Sequence, residues 1–478
     1  MVGEEATAIT QAIADGCAAA VAGKPRRAHL VGIAGAGMSS LARLLLDWGW
    51  TLSGSDCALA GVADLAARGV DLHDGHSCHY LPDEVDLVVR SDAIGADNPE
   101  LSIAAARGIP VHSYFEMLAS LGLGRRTLAV AGTHGKSTTT AMAAEIFVRA
   151  GLDPTAIYGA TPIGRQSGAR AGGSRWMLVE ACEYRANFLK LRPEAAVVLG
   201  IEPDHLDYYG SREALQAAFA RFVARVPADG LVLARHECAA TRAATARAVA
   251  RVETFGLDPR AAWAARNLRG CAGRYAFELV RHGKCLGTIR LPVPGRHQVL
   301  NALAAAALAL EHQAAMADVV AALEAFRGLR RRLEVRGVWR GVDLVDDYAH
   351  HPTEVAATLS TIREMYPQRR VWCVFQPHQA SRTAYFLDEF ATALQNTDKL
   401  IVAEIFRARE PPPRPGEVTA ALLAAKAAAR GVEVLREHEV QAIVGRLRER
   451  LTAGDVLVTI GAGDIGKIHS HFDPRGFR

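Results

Sequence analysis

The stretch Ala131-Gly132-Thr133-His134-Gly135-Lys136-Ser137-Thr138-Thr139-Thr140 constrains this chain more than any other. It follows an apolar, strand-like run from Arg126 to Val130 and opens a helical pattern that continues from Ala141 to Arg149. A strand, a glycine turn and Lys-Ser at a helix start place backbone N–H groups and an ammonium where a triphosphate can sit. The hydroxyl of Ser137 or Thr138 is then free to hold Mg²⁺. Gly132 and Gly135 are too close together for the spacing G-x-x-x-x-G-K-[ST], so this is a shorter phosphate loop.

A chain of 478 residues is too long for one ordinary core, and two to four domains are expected. Half the residues are hydrophobic and 22% are charged, an ordinary globular balance that argues against disorder. The net charge of +4 is small, and no basic run interleaved with aromatics occurs, so nucleic acid is not an expected partner. Arg330-Arg331-Arg332 is the densest basic cluster and reads equally as a solvated turn or an anion site. The eight cysteines are scattered without a C-x-x-C pair, which suits reduced thiols rather than a disulfide frame or zinc site. Met1 to Arg27 carries acidic residues and no long apolar segment, so no signal peptide is read there. No apolar run is long enough to span a bilayer, and the expectation is a cytoplasmic protein without a membrane partner.

Residues from about 28 to 115 alternate between strand and helix patterns: Ala28 to Ile33, then Ser39 to Trp48, Asp86 to Arg90, and Pro99 to Arg107. Such a βα series implies a parallel sheet with ligands at the strand C-termini. A second α/β unit starts near Arg126 and includes strands Trp176 to Val179 and Ala195 to Leu199. Between about Arg266 and Val293 strand follows strand, as in an antiparallel insertion, before a helix from Val299 to Glu311. A third unit opens with a hairpin-like Val335 to Asp347 and continues with strands Arg370 to Phe375, Lys399 to Ala403 and Asp455 to Ile460. The expected domains are 1–122, 123–332 and 333–478, all α/β, with phosphate-type loops in the first two.

The first of those loops is Gly32-Ile33-Ala34-Gly35-Ala36-Gly37-Met38-Ser39, with Asp56 after the next strand-like segment. A glycine loop opening a helix binds a pyrophosphate, and an acid after the second strand commonly bonds a ribose or base. On its own this loop suits a nicotinamide cofactor as well as any other diphosphate. Glu180 ends the strand from Trp176, where a carboxylate beside a phosphate loop is placed to ligate Mg²⁺. Asp204-His205-Leu206-Asp207 follows the next strand in the same way, either as a second metal-binding cluster or as helix caps. Gln298 and Asn301, opening an alanine-rich helix, suit an adenine edge or an N-cap equally. Asp346-Asp347-Tyr348-Ala349-His350-His351-Pro352-Thr353-Glu354 crowds polar groups at one strand tip, which points to function. At the next tip, in Gln376-Pro377-His378-Gln379-Ala380-Ser381-Arg382, Arg382 is suited to grip a carboxylate bidentately.

Together these motifs resemble the Mur ligases, in the family's order and over nearly the whole chain from residue 28 to Gly461-Ala462-Gly463-Asp464. The pieces that carry the resemblance include Gly-x-x-Gly-x-Gly-Met-Ser, Asp92 to Glu100, Gly-Thr-His-Gly-Lys-Ser, Glu180 to Tyr184, Asp204 to Asp207 and, most specific of all, Asp347-Tyr348-Ala349-His350-His351-Pro352-Thr353-Glu354. The resemblance implies an N-terminal Rossmann-like domain for a UDP-sugar, a central P-loop-type ATPase and a C-terminal Rossmann-like domain. It implies the branch that joins L-alanine to UDP-N-acetylmuramic acid with ATP and Mg²⁺. Gly35, Gly37, Met38, Ser39, Asp56 and Ser91 would then face the UDP-sugar. ATP would lie on Gly132, Thr133, His134, Gly135, Lys136, Ser137 and Thr138, with Gln298, Asn301, Arg332 and Asp347 at its nucleoside. Ser137 and Glu180 would hold one Mg²⁺ and His205 a second. His350, His378 and Arg382 would face the amino acid, and Lys136, Glu180, His205, His350 and Arg382 would carry catalysis.

Three positions depart from the family pattern: Gly200 and Gln298 stand where Asn is usual, and Gln379 where Arg is common. No lysine occurs between Asp204 and Lys284, so a carbamylated lysine at the second metal is not expected. Two rival readings remain: a recycling ligase that attaches a tripeptide to the same sugar, and a non-catalytic UDP-sugar or nucleotide sensor.

Overall fold

A computed structural model describes residues 26–408, 410–435 and 437–472. The N-terminal segment in which no signal peptide was read therefore lies almost wholly outside the described residues. By its packing the chain divides into two compact units. One runs to Ala265 and takes in Leu279–Gly287 and Leu300–Leu323; the other comprises Arg266–Glu278, Thr288–Val299 and the chain from Glu324 onward.

The first sheet has five parallel strands: β1 (Arg27–Val31), β2 (Thr51–Asp56), β3 (Asp71–Asp74), β4 (Leu87–Arg90) and β5 (Val111–Ser113). Their order, β3-β2-β1-β4-β5, reverses direction at β1, and ligands of open α/β sheets bind at such a switch point. The glycine loop leaves β1 there and enters the helix Ala36–Asp47. Gly32 has φ +81°, and a Cβ would lie 2.9 Å from Cβ of Ser91, so the turn requires glycine.

The second sheet is centred on β6 (Arg126–Ala131), followed by β7 (Thr155–Ile157), β8 (Ala169–Arg170), β9 (Trp176–Glu180), β10 (Ala195–Val198), β11 (Leu231–Arg235) and β12 (Arg251–Gly256). β6 lies between β10 and β9 and runs parallel to both, so the phosphate loop emerges between their C-terminal tips. β13 (Trp263–Cys271), β14 (Arg274–Arg281) and β15 (Lys284–Arg290) continue the strand order. They are joined by Ala272-Gly273 and His282-Gly283, all four at positive φ, the geometry of two-residue hairpins. The expected antiparallel insertion is present.

The third sheet, in the other unit, contains β16 (Glu334–Trp339), β17 (Val342–Asp347), β18 (Val371–Phe375), β19 (Lys399–Val402), β20 (Glu433–Leu435) and β21 (Val456–Ile460). Its order is β16-β17-β21-β18-β19-β20; β16 is antiparallel to β17 as the hairpin pattern predicted, and the other pairs are parallel. The fold is α/β, with parallel sheets and a small antiparallel insertion, as expected. Among the described residues no helix is long and apolar enough to cross a membrane.

Within the first unit one apolar cluster joins Leu30, Val89 and Phe115 to Ala129, Val179, Val198 and Phe188. Polar ties reinforce it: Lys190 Nζ donates to Ser113 Oγ at 2.8 Å, and Asn187 Nδ2 to Asp92 Oδ2 at 2.5 Å. These ties fix the first glycine loop relative to the phosphate loop.

The first sheet also buries charge. His29 and Glu100 are both fully buried, with Nε2 and Oε2 2.7 Å apart, and Ser55 Oγ donates to the same carboxylate at 2.6 Å. Burial pushes the Glu100 carboxyl up, but hydrogen bonds from His29, Ser55 and His76 outweigh it and hold the group below the ordinary 4.5. Its contribution to stability is therefore fully present above pH 4.5 and is lost as pH falls through the lowered folded value. Removing one partner of a buried pair typically costs about 3–5 kcal/mol. Glu100→Ala is expected to lower the urea midpoint accordingly at pH 7, and an unchanged midpoint contradicts the assignment.

Candidate functional site

In the first unit the site is built on two helix N-termini. Gly132 (φ +134°) and Gly135 (φ +80°) turn the chain from β6 into the helix Lys136–Arg149. A Cβ on Gly135 would collide with Asn301 Oδ1, so Asn301 abuts the phosphate loop itself. Thr133 braces the loop: its N–H donates to Gly200 O at 2.9 Å, its hydroxyl to Glu202 O at 3.1 Å. His134 Nε2 lies 3.5 Å from Glu202 Oε2. Ser137 and Thr138, both largely buried, occupy the first helical turn.

Lys136 folds back over its own loop. Its ammonium donates to Gly132 O at 2.6 Å, Thr133 O at 3.0 Å and Glu183 Oε1 at 2.9 Å. Burial would push the ammonium down, but the carboxylates of Glu183 and Glu180 hold it well above the usual lysine range. Glu183 is 1% exposed, and its Oε2 accepts no hydrogen bond, although it lies 2.8 Å from the ammonium. Sequence reasoning gave Glu183 no role, because two glutamates three apart in one motif carry no sign of which faces the lysine. Left-handed φ values at Arg185 (52°) and Ala186 (55°) shape the segment that follows it.

Glu180 ends β9 beside Val130 and accepts a hydrogen bond from Gly159 N at 2.6 Å. A Cβ on Gly159 would fall 3.0 Å from the carboxylate, so a side chain there would press on the half-buried Glu180. A carboxylate at a strand tip, with the Ser137 hydroxyl on the helix that follows β6, is a hard-oxygen set of the kind Mg²⁺ takes. His205 has φ +52° and caps the short helix Leu206–Tyr209, its ring 4.9 Å from that of Tyr184. Asp204 accepts from the His205 N–H at 2.8 Å without capping the helix, and Asp207 is exposed. The helix Arg212–Val223 contains no lysine.

The first loop faces the same unit. Asp56 ends β2 and accepts from Ala34 N at 3.0 Å, tying the acid to the glycine loop. Ser91 leaves β4 beside Gly32. Met38 is 3% exposed and packs in the core, which leaves its main chain rather than its side chain for a ligand; Ser39 is also buried.

In the second unit, Asp347 ends β17 fully enclosed and accepts from Leu333 N and Ala349 N, both at 2.7 Å. Burial pushes its carboxyl up to about 6, against Arg332 and those two N–H groups. Arg332 and Arg331 both lie 5.0 Å from the Tyr348 ring. The expected amino-acid residues come together: the His350 and His378 rings are 5.8 Å apart, and Arg382 Nη1 lies 3.0 Å from His378 Nδ1. Arg382 is 7% exposed. Gln379 takes φ +68° at the start of the helix Ala380–Tyr385, and Gln298 is buried at the start of Arg296–Leu310.

Gly200 has no positive φ, and a Cβ there would meet nothing closer than Arg235 Nη1 at 3.7 Å. Neither backbone nor space explains this departure.

Profiles of the Mur ligase family match the chain in sequence: the catalytic domain over residues 27–126, the middle domain over 130–309 and the glutamate ligase domain over 331–463. The UDP-N-acetylmuramate–L-alanine ligase of Clostridium acetobutylicum is 37% identical over 449 residues, 94% of this chain and 97% of that protein. That of Salinibacter ruber is 40% identical over 453 residues, 94% and 95% of the two chains. Among solved structures, the UDP-N-acetylmuramate–alanine ligase of Thermotoga maritima matches with a TM-score of 0.79 at 27% identity, covering 94% of this chain and 98% of that one. A murein peptide ligase from Psychrobacter arcticus matches at 24% identity with a TM-score of 0.71, covering 94% and 98%, and supports the fold alone.

A preorganised cation aimed at developing charge is worth about 10²–10³ in rate. Lys136→Ala is expected to lower nucleoside-triphosphate turnover by that factor while the circular-dichroism spectrum stays that of the wild type. Near-wild-type phosphate release contradicts the role given to Lys136.

Proposed function

The chain belongs to the Mur ligase family, and we propose that it joins L-alanine to UDP-N-acetylmuramic acid at the expense of ATP. The observation that carries the reading is the phosphate loop: a charged lysine at a helix N-terminus, held between two strand tips, with the Glu180 carboxylate at one of them. The substrates come from the names of relatives 37–40% identical over 94% of the chain.

The chemistry follows from charge. The lactyl carboxylate of the sugar attacks the γ-phosphorus, the bond to the β-bridging oxygen breaks, and ADP leaves from an acyl phosphate. Lys136 and the N–H groups of the Gly132–Ser137 loop meet the negative charge on the transferring phosphoryl oxygens. Ser137 and Glu180 would hold Mg²⁺, with His205 at a second ion, and bound metal supplies further neutralisation of the phosphates. The alanine amine then attacks the acyl carbon and expels phosphate. Arg382, buried beside His378, is the cation suited to the alanine carboxylate, and Asp347 is the acceptor for the ATP ribose. Gly35 and Gly37 open the helix on which the sugar diphosphate would rest, with Asp56 and Ser91 beside it.

The tripeptide-adding alternative differs in its acceptor. A free amino acid needs one cation and a shallow pocket, whereas a tripeptide needs a groove and further polar partners. We expect ADP to form only when ATP, the UDP-sugar and L-alanine are all present. kcat/KM should be higher for L-alanine than for L-Ala-γ-D-Glu-diamino acid. A preference for the tripeptide moves the chain to recycling, and no ADP with either acceptor makes it a sensor. Glycine and serine should be poor substrates rather than excluded ones, because small side-chain differences are worth only about 1–3 kcal/mol.

A further inference from the structure

Tyr114 has no part in the chemistry derived so far. It opens the helix Tyr114–Leu121, whose capping box is made by Ser113 and Glu116. Lys190 grips that box, with Nζ 2.8 Å from Ser113 Oγ and 3.3 Å from Glu116 Oε1, so the position of Tyr114 is fixed from the segment that joins β9 to β10. Its ring lies over the first glycine loop: a Cβ on Gly37 would stand 3.1 Å from Tyr114 Cζ and 3.3 Å from its hydroxyl oxygen. Gly37 thus makes room for this ring as well as for a diphosphate.

The same region leads to Glu180. A Cβ on Gly168 would lie 3.1 Å from Ser40 Oγ, on the helix that the first loop opens, and Gly168 O accepts from Tyr158 N at 2.8 Å. The next residue, Gly159, donates to Glu180. Inside a single compact unit Tyr114 thus reaches the first glycine loop at Gly37, and Glu180 is tied to the helix of that loop through Gly159, Tyr158 and Gly168. Among the described residues the Tyr114 hydroxyl makes no hydrogen bond. A phenol over the seat of a diphosphate, its hydroxyl without a protein partner, is free to donate to a ligand held there.

We propose that the Tyr114 hydroxyl donates a hydrogen bond to the lactyl carboxylate of the UDP-sugar and orients it toward the γ-phosphate. This rests on the ligase reading above and adds to it the group that recognises the acid. The bonded carboxylate oxygen is the one that does not attack; the other forms the bond to phosphorus as the bond to ADP breaks. The phenol keeps its proton throughout. Burial raises it above the usual tyrosine range, so it is a donor at neutral pH.

Tyr114→Phe removes the hydroxyl and keeps the ring against Gly37, which separates recognition from support of the loop. The experiment is calorimetric titration of wild type and Tyr114→Phe with UDP-N-acetylmuramic acid and with UDP-N-acetylglucosamine, which lacks the lactyl group. A hydrogen bond to a charged group predicts a loss of about tenfold or more for the acid. Affinity for the sugar without the carboxylate should be the same in both proteins. Equal loss for both sugars overturns the proposal and leaves Tyr114 a prop for the loop; no loss for either also overturns it. Wild-type protein that fails to bind the acid, or fails to form ADP with it and L-alanine, contradicts the ligase reading itself rather than the role of Tyr114.

Discussion

The ion pair between Lys136 and Glu183 is the constraint on which the first unit turns. A glycine loop that exposes N–H groups to a phosphate must also bring a cation into a largely buried position, and a buried ammonium is costly without a partner. Glu183 supplies the partner, 1% exposed and 2.8 Å away, while the carbonyls of Gly132 and Thr133 take the remaining protons. The lysine is therefore held charged before any ligand arrives, its ammonium donating to its own loop and to Glu183. Tyr209 completes the support from behind, its hydroxyl donating to Glu183 O at 2.5 Å.

Everything near the loop is consistent with that arrangement. Gly159 donates to Glu180 and leaves room for its carboxylate, Gly135 leaves room for Asn301, and Thr133 ties the loop to the chain after β10. The thiol of Cys182, between the two glutamates, is pushed up to about 12 by burial and stays neutral, so it adds no third negative charge. The first sheet reaches the same place through Lys190, Asn187 and Tyr114. One compact unit thus holds both glycine loops, as a reaction between a sugar carboxylate and a triphosphate requires.

Much of this was legible because the fold punctuates itself with glycine. The loops after β1 and β6, the strands that precede them and the hairpin of β16 and β17 follow from apolar runs ended by residues of particular conformation. The Lys136 helix begins five residues before its expected apolar pattern, since Ser137 to Thr140 are buried polar residues that periodicity does not register. Strands β7 and β8 are three and two residues long and give almost no signal. β12, Arg251–Gly256, carries a charged start that conceals it. The roles of Glu183 and Tyr114 were illegible for a different reason. Each depends on a partner 47 or 77 residues away, brought close only by sheet order. Conversely, Met38 looks from its motif like a ligand residue, yet its side chain is drawn into the core beneath the loop.

The central claim is that Glu183 holds the Lys136 charge that a nucleotide phosphate then meets. The most direct measurement is a double-mutant cycle on ATP affinity, by calorimetry, over wild type, Lys136→Ala, Glu183→Gln and the double variant. Lys136→Ala removes the cation and leaves a buried carboxylate facing the phosphates, so it should weaken ATP binding severely. The double variant, with that carboxylate neutralised, should bind ATP more tightly than Lys136→Ala alone. A double variant no tighter than the single one would mean that Glu183 and Lys136 act independently, and would contradict the account.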